Sequence, residues 1–161
     1  MIMGREPLAQ RMTHLLILAH APLASALAAV ARHIYADCAS RLQCLDVTDE
    51  MSPEVAHEHA VALLAALGAG EILILTDVFG ATPCNVAQRL ADGARIKVVA
   101  GVNVPMLWRT LCYSEETLDT LVGRAMAGAV QGVLQVTPTR PQQQTRSASE
   151  LDAQGQRHDQ Q

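Results

Sequence analysis

An α/β fold, in the form of a doubly wound and mainly parallel sheet flanked by helices, is predicted by three features of the sequence. Two apolar runs, residues 15–19 and 72–75, are continuous rather than alternating, which is typical of strands covered on both faces. Segments with helical patterns follow each run. Aromatic residues make up only 2% of the chain, so we expect a core of Leu, Val, Ile and Ala in closely packed layers.

Strands and helices are predicted to alternate along the chain. In order, they are strand 13–19, helix 22–36, strand 42–47, helix 53–67, strand 71–76, helix 83–91, strand 96–101, helix 105–112 and helix 114–129. The last helix is given Ser114 as its N-cap, because two glutamates follow in the first turn. A final strand is expected from Gly132 to Val136 at an edge of the sheet, where it is free to pair with another chain.

The length of the chain favours a single domain. With 161 residues, of which 50% are hydrophobic, it is long enough to bury one sizeable core. We place that domain at residues 13–136, after an N-terminal extension at residues 1–12. Residues 137–161 are rich in Pro and Gln, and they are predicted to form a disordered polar tail.

Charge and cysteine usage narrow the function classes. The formal net charge of -4 and the absence of a Lys/Arg cluster argue against a nucleic-acid partner. The four cysteines, Cys38, Cys44, Cys84 and Cys112, include no C-x-x-C pair. They are therefore expected to be free thiols in a reducing compartment, with no metal site built from them.

Two polar residues mark the ends of the apolar runs. His20 closes the first run and Asp77 follows the second, and the carboxyl ends of parallel strands lie at one edge of a sheet. An aspartate bonded to one imidazole nitrogen leaves the other nitrogen as an exposed nucleophile, which suits a phosphoryl acceptor. The segment from Gly80 to Asn85 adds backbone N–H groups, the Thr82 hydroxyl and a helix N-terminus, all suited to phosphoryl oxygens.

A plainer interpretation of these residues stays open on the pattern alone. A histidine at a strand end is often a hydrogen-bonded packing residue, and Asp77 is also explained as an ordinary helix N-cap. His57 and His59 fall on different faces of a predicted helix with Glu54 and Glu58 nearby, so a solvated face is favoured there over a metal site.

Three segments resemble the IIA component of the mannose-type phosphotransferase system. They are LLILAH at residues 15–20, LTDVFGATPCN at residues 75–85 and VAGVNVPML at residues 99–107, in the order found in that family. The resemblance covers residues 13–136. No IIB domain follows in the sequence, so a stand-alone IIA protein is expected.

The resemblance implies a cytoplasmic phosphohistidine carrier and homodimer that needs no metal or organic cofactor. In it, His20 takes a phosphoryl group from the phosphohistidine of HPr and passes it to a IIB component or uses it in regulation, while Asp77 orients the imidazole. The implied phosphoryl-binding residues are Gly80, Ala81 and Thr82, and Asn103 and Pro105 would shape the neighbouring loop. The C-terminal strand would be exchanged or paired between subunits. The resemblance implies that the protein associates with a membrane only peripherally, through a transporter complex.

The chain departs from the family pattern at two places. Ala21 stands where glycine usually follows the histidine, and Gly80-Ala81-Thr82-Pro83 replaces a Gly-Gly-Ser-Pro turn. Threonine keeps the hydroxyl, so the same chemistry is expected. Two other functions stay open: a phosphocarrier for dihydroxyacetone phosphorylation, and a non-catalytic dimeric regulatory module that only binds partners.

Overall fold

The structure, a computed structural model, describes residues 12–37 and 41–138. Strands and helices alternate in this part of the chain, as predicted. The elements are β1 (His14–His20), α1 (Leu23–Ile34), β2 (Leu42–Val47), α2 (Pro53–Leu67), β3 (Ile72–Thr76), α3 (Thr82–Leu90), β4 (Ile96–Ala100), α4 (Val104–Cys112) and α5 (Leu118–Gln131).

The four strands form one parallel sheet in the order β2-β1-β3-β4. β2 lies beside β1 on one side of the sheet, and β3 followed by β4 lies on the other side of β1. The strand order therefore reverses between β1 and β3, the two central strands. In open α/β sheets, the crevice at the carboxyl ends of two such strands is where ligands bind.

Helices cover both faces of the sheet, and each face has its own core. Leu15, Ile17 and Ala19 of β1 pack with side chains of α1, α4 and α5, whereas Leu16 and Leu18 pack with α2 and α3. All five of these β1 side chains are buried. Burial on both faces explains why the strand has a continuous apolar run, and the predicted doubly wound fold is confirmed.

The last helix begins later than predicted, and the assignment of Ser114 as its N-cap is wrong. Thr117 caps α5 instead, since its Oγ1 accepts the backbone N–H of Thr120 at 3.4 Å. Ser114 is buried at the end of α4, where its hydroxyl donates to the carbonyl of Leu111. Its own carbonyl accepts the N–H of Thr13. These tertiary contacts hold Ser114 in place and leave Thr117 to start the helix.

The strand predicted from Gly132 to Val136 is absent from the described chain. α5 continues to Gln131, and residues 133–138 have no regular secondary structure. Val133, Leu134 and Val136 are 74% to 90% exposed. A strand exists only by pairing with another strand, and this segment pairs with none of the four in its own chain. Its exchange with a second chain stays a prediction.

Several sequence predictions fall on residues outside the described part of the chain. They concern residues 1–11 of the N-terminal extension, Cys38, and residues 139–161 of the polar tail. The domain limits at residues 13 and 136 also stay predictions. Cys44, Cys84 and Cys112 are free thiols, and within the described ranges we find no helix long and apolar enough to cross a membrane.

Glycine at position 128 allows α4 and α5 to pack closely. A Cβ atom there would lie 2.8 Å from Cβ of Arg109 and 3.1 Å from the carbonyl oxygen of Pro105. We therefore expect Gly128→Ala to lower the free energy of unfolding by about 1–3 kcal/mol through overpacking. Gly123 lies in the same helix with nothing within 4 Å of an added Cβ.

Gly123→Ala is the matched control for this prediction. It should raise the free energy of unfolding by about 0.5–1 kcal/mol, because alanine restricts the unfolded chain and favours the helix. Urea denaturation of both variants measures the two effects. Equal free energies of unfolding for the two variants would contradict close packing at position 128.

Candidate active site

The candidate site lies at the point where the strand order reverses. His20 is the last residue of β1, and Asp77 directly follows β3. β1 and β3 are neighbours in parallel register, with Leu18 opposite Thr76. Both residues therefore leave the sheet side by side, at the edge where the helices α1 and α3 depart to opposite faces.

The structure brings His20 and Asp77 into direct contact. Nδ1 of His20 lies 2.7 Å from Oδ2 of Asp77, and the backbone N–H of His20 donates to the same oxygen at 3.0 Å. A carboxylate accepts hydrogen bonds only, so Nδ1 carries the proton in this contact. In the neutral tautomer that fits this contact, the other ring nitrogen, Nε2, carries the lone pair. The His20 side chain is 47% exposed, which makes the imidazole accessible from solvent.

Asp77 is held in place from several sides. Its side chain is only 9% exposed, and its Oδ1 accepts the backbone N–H of Val78 at 2.9 Å. Its own carbonyl accepts the N–H of Gly101 at 2.8 Å. Burial raises the pKa of Asp77, but the hydrogen bonds from the N–H and ring of His20 and from Val78 outweigh it, so the net pKa lies below the ordinary value. The carboxylate is therefore ionised near neutral pH.

This lowered pKa predicts how stability changes in acid. Because the folded protein holds the Asp77 proton more weakly than the unfolded chain does, Asp77 stabilises the fold above the ordinary aspartate pKa of about 3.9. That contribution is lost as the pH falls from there through the lower pKa of the folded state. The free energy of unfolding of Asp77→Asn should therefore fall less steeply with acid than that of the wild type, as measured by urea denaturation at a series of pH values. Parallel curves would contradict this prediction.

A tight turn follows Asp77 and leads into α3. The N–H of Ala81 donates to the carbonyl of Val78 at 3.3 Å, and Gly80 has a φ of 84°. A positive φ at this position of a turn favours glycine. The Asn85 side chain donates to the carbonyl of Gly80 at 3.1 Å. Thr82 is the first residue of α3, so the sequence-predicted residues 80–82 form the connection between Asp77 and that helix.

The N-terminus of α3 differs from those of the other helices. Ser52, Asn103 and Thr117 cap α2, α4 and α5 with their side chains, and Asp46 accepts a first-turn N–H of α1. Over residues 12–37 and 41–138, no side chain accepts a backbone N–H from the first turn of α3. Its unpaired amides and the helix dipole leave this terminus suited to an anion.

Asn103 and Pro105 lie in the loop after β4 and at the start of α4. Oδ1 of Asn103 accepts the N–H of Met106 at 2.9 Å, and its Nδ2 donates to the carbonyl of Ala129 at 3.2 Å. The Pro105 ring packs where a side chain on Gly132 would collide with it. Both residues therefore fix α4 against α5. Neither is hydrogen-bonded to His20 or Asp77 in the structure.

Two residues near the site were not predicted from the sequence. Gly101 supports the backbone of Asp77, and Asp46 bonds to the start of α1, the helix that follows His20. The available signal was position, because Asp46 lies near the carboxyl end of β2 and Gly101 directly follows β4. Strand order, which the sequence does not give, decides whether such residues lie near His20.

The fold and the site together define an α/β domain that presents a carboxylate-paired histidine at the switch point of a parallel sheet. Within this class, the chain belongs to the EIIA-man family. The sequence model of that family, described as "PTS system fructose IIA component", matches residues 14–126, where PTS stands for phosphotransferase system.

Two relatives share shorter segments with the chain. The PTS system mannose-specific EIIAB component of Escherichia coli (strain K12) is 38% identical over 65 residues, which are 38% of this chain and 20% of that protein. The PTS system fructose-specific EIIA component of Bacillus subtilis (strain 168) is 44% identical over 46 residues, or 28% of this chain and 32% of the relative. The chain thus spans about a fifth of the first relative and about a third of the second.

Solved structures of IIA proteins have the same fold. The phosphotransferase system component EIIA from Streptococcus agalactiae has a TM-score of 0.67 and 26% identity, covering 77% of this chain and 97% of that one. The mannose/sorbose specific IIA subunit from Enterococcus faecalis has a TM-score of 0.72 and 24% identity, covering 81% and 98%. At 24% identity, the similarity to the Enterococcus faecalis subunit shows a shared fold and nothing further.

Proposed function

We propose that this protein is a phosphohistidine carrier of the phosphoenolpyruvate-dependent phosphotransferase system. It accepts a phosphoryl group from phospho-HPr on Nε2 of His20 and passes it to a IIB component or uses it in regulation. The observation that carries this proposal is the 2.7 Å contact between Nδ1 of His20 and Asp77. That contact assigns the proton to Nδ1, so Nε2 carries the lone pair of the neutral imidazole, and the exposed side chain makes this nitrogen accessible as a nucleophile. Membership of the EIIA-man family supports the same reaction.

The proposed transfer exchanges one P–N bond for another. The Nε2 lone pair of His20 forms a bond to phosphorus while the P–N bond of the donor phosphohistidine breaks, and the donor nitrogen keeps the electron pair. The Nδ1 proton stays on His20. As Nε2 becomes bonded, the imidazole gains positive charge, and the Asp77 carboxylate stabilises it. Such transfers have loose transition states, so alignment and charge stabilisation supply most of the catalysis.

Residues 80–82 are proposed to bind the phosphoryl oxygens. Gly80 offers its backbone N–H group and Thr82 adds a hydroxyl at the uncapped start of α3, while Ala81 joins them in the turn that its N–H closes onto Val78. Asn103 and Pro105 are assigned the indirect role of fixing the loop beside Asp77, in keeping with their contacts to α5. The phosphohistidine of the donor is itself a high-energy compound, so the reaction as proposed requires neither a metal nor an organic cofactor.

Intact-protein mass spectrometry tests this function directly. The protein is incubated with phosphoenolpyruvate, enzyme I and HPr, and it should gain the mass of one phosphoryl group. The group should be lost in acid and retained in alkali, as expected for phosphohistidine. Leaving out HPr should abolish the gain. No added mass in the complete mixture would contradict the carrier function and favour a module that only binds partners.

We further propose that the protein is a homodimer in which the segment from Gly132 to Val136 pairs with the second chain. Val133, Leu134 and Val136 are 74%, 79% and 90% exposed, and β4 is an edge strand with one free side. Exposed apolar residues and a free strand edge both favour association.

Leu134→Asp is therefore expected to shift the protein toward monomer, as measured by light scattering coupled to gel filtration. Gln131→Asp, at an exposed polar position of α5, is the control, and an unchanged mass for Leu134→Asp would contradict this pairing.

A further inference from the structure

We propose that Asp46 is a positioning residue for His20, acting through the start of α1. Oδ1 of Asp46 accepts the backbone N–H of Ser25 at 3.1 Å, although the two residues are 21 positions apart in the chain. Ser25 lies in the first turn of α1, directly after the segment His20-Ala21-Pro22. The contact therefore joins the end of β2 to the helix that begins just after the candidate nucleophile.

The backbone around Asp46 reinforces this connection. Asp46 lies opposite Ala19 in the sheet, and Val47 lies opposite His20. The N–H of Ala21 donates to the carbonyl of Val47 at 3.0 Å. Ala21, before Pro22, and Ser25, three residues after it, are thus hydrogen-bonded to Val47 and Asp46 respectively, the last two residues of β2.

The first turn of α1 has no cap of its own. Its N-cap is Pro22, whose side chain makes no capping hydrogen bond, and no acidic residue lies in the first turn. The Ser25 hydroxyl donates to the carbonyl of Pro22 at 3.1 Å. Asp46 therefore supplies the side-chain acceptor that α1 lacks, and its negative charge lies at the positive end of the helix dipole. A side chain of β2 thus helps to fix the position at which α1 begins.

His20 is consequently fixed from two sides. Asp77, after β3, holds the imidazole and backbone N–H of His20, whereas Asp46, on β2, holds the chain that leaves His20. We infer that losing the Asp46 contact lets residues 20–22 shift and turns Nε2 away from the line of transfer. This role rests on the proposed carrier function, in which small errors of alignment lower the rate steeply.

Two substitutions at position 46 separate hydrogen bonding from mere bulk. Asp46→Leu has a similar size but no acceptor, whereas Asp46→Asn keeps an oxygen able to accept the Ser25 N–H. Thr117→Ala is the matched control, because it also removes a helix cap. Thr117 lies near the amino ends of the strands, away from His20. There the N–H of the next residue, Leu118, donates to the side chain of Glu71, the residue just before β3.

Phosphoryl transfer from phospho-HPr is measured by rapid quench for the full-length protein and each variant. For Asp46→Leu we expect a fall in the maximal transfer rate on the order of tenfold, with most of that loss recovered in Asp46→Asn. Thr117→Ala should lower the melting temperature but leave the transfer rate unchanged. Equal rates for Asp46→Leu and wild type, or equal losses in Asp46→Leu and Thr117→Ala, would overturn the positioning role.

A second readout does not depend on activity. In nitrogen-15 NMR spectra of the unphosphorylated protein, the hydrogen-bonded Nδ1 proton and the ring nitrogens of His20 should change in Asp46→Leu but not in Thr117→Ala. If wild type takes up no phosphoryl group, the carrier function fails, yet these spectra still test whether Asp46 positions His20. Unchanged His20 resonances in Asp46→Leu would overturn the proposal even if transfer proceeds in the wild type.

Discussion

His20→Ala is expected to accept no phosphoryl group from phospho-HPr while keeping its fold. The substitution removes Nε2, the only nitrogen of this protein that bonds to phosphorus in the proposed mechanism. The His20 side chain is 47% exposed and lies at the end of β1, so its loss should change the packing of the core very little. Intact mass after incubation with phosphoenolpyruvate, enzyme I and HPr should equal that of the untreated variant, and circular dichroism should match the wild type.

His33→Ala is the control for this experiment. His33 is an exposed histidine in the last turn of α1, and its loss should leave one acid-labile phosphoryl group on the protein. A folded His20→Ala variant that still gains this mass would contradict the assignment of His20 as the acceptor. If His33→Ala lost the mass gain instead, the acceptor would be in α1.

Asp77→Ala is expected to slow phosphoryl transfer to His20 on the order of 10²-fold or more, because the imidazole loses both its orientation and the adjacent negative charge. Asp77 contacts the ring at 2.7 Å and the His20 backbone at 3.0 Å, so both effects arise at one side chain. Rapid-quench measurements at saturating phospho-HPr isolate the transfer step. Mass spectrometry after long incubation should still detect some product, since Nε2 is present.

Asp92→Ala is the control for the loss of a hydrogen-bonded carboxylate. Oδ1 of Asp92 accepts the N–H groups of Ala94, Arg95 and Ile96 at 2.9, 2.7 and 2.8 Å. It lies before β4, at the sheet edge opposite His20. Its removal should cost stability but leave the transfer rate unchanged. A wild-type rate in Asp77→Ala would remove Asp77 from the mechanism.

Much of the fold could be predicted because burial leaves a direct mark on the sequence. The runs that became β1 and β3 are continuous because helices cover both faces of the sheet, and the bounds of β2 and α2 match the predictions. His20 and Asp77 could be placed at one edge for the same reason, since both follow such runs. What they do together in the reaction stays a prediction.

The errors arose where distant contacts decide local structure. Ser114 has the right residue type for an N-cap, but burial and its bond to Leu111 hold it at the end of α4. The apolar residues from Val133 to Val136 have strand composition but no partner strand within residues 12–37 and 41–138, so their pairing with a second chain stays a prediction. Asp46 was missed because its role depends on β2 lying beside β1.

The contact between His20 and Asp77 is present in the single chain, without a partner. It joins the ends of β1 and β3, whose other residues are largely buried. In the proposed transfer, the donor therefore finds this hydrogen bond already formed, and docking needs less binding free energy to organise the acceptor. A weak and short-lived complex with the donor is then sufficient for transfer. The proposed carrier would meet a donor and an acceptor in turn at the same imidazole. Fast dissociation is then an advantage, because a donor that stayed bound would exclude the next partner.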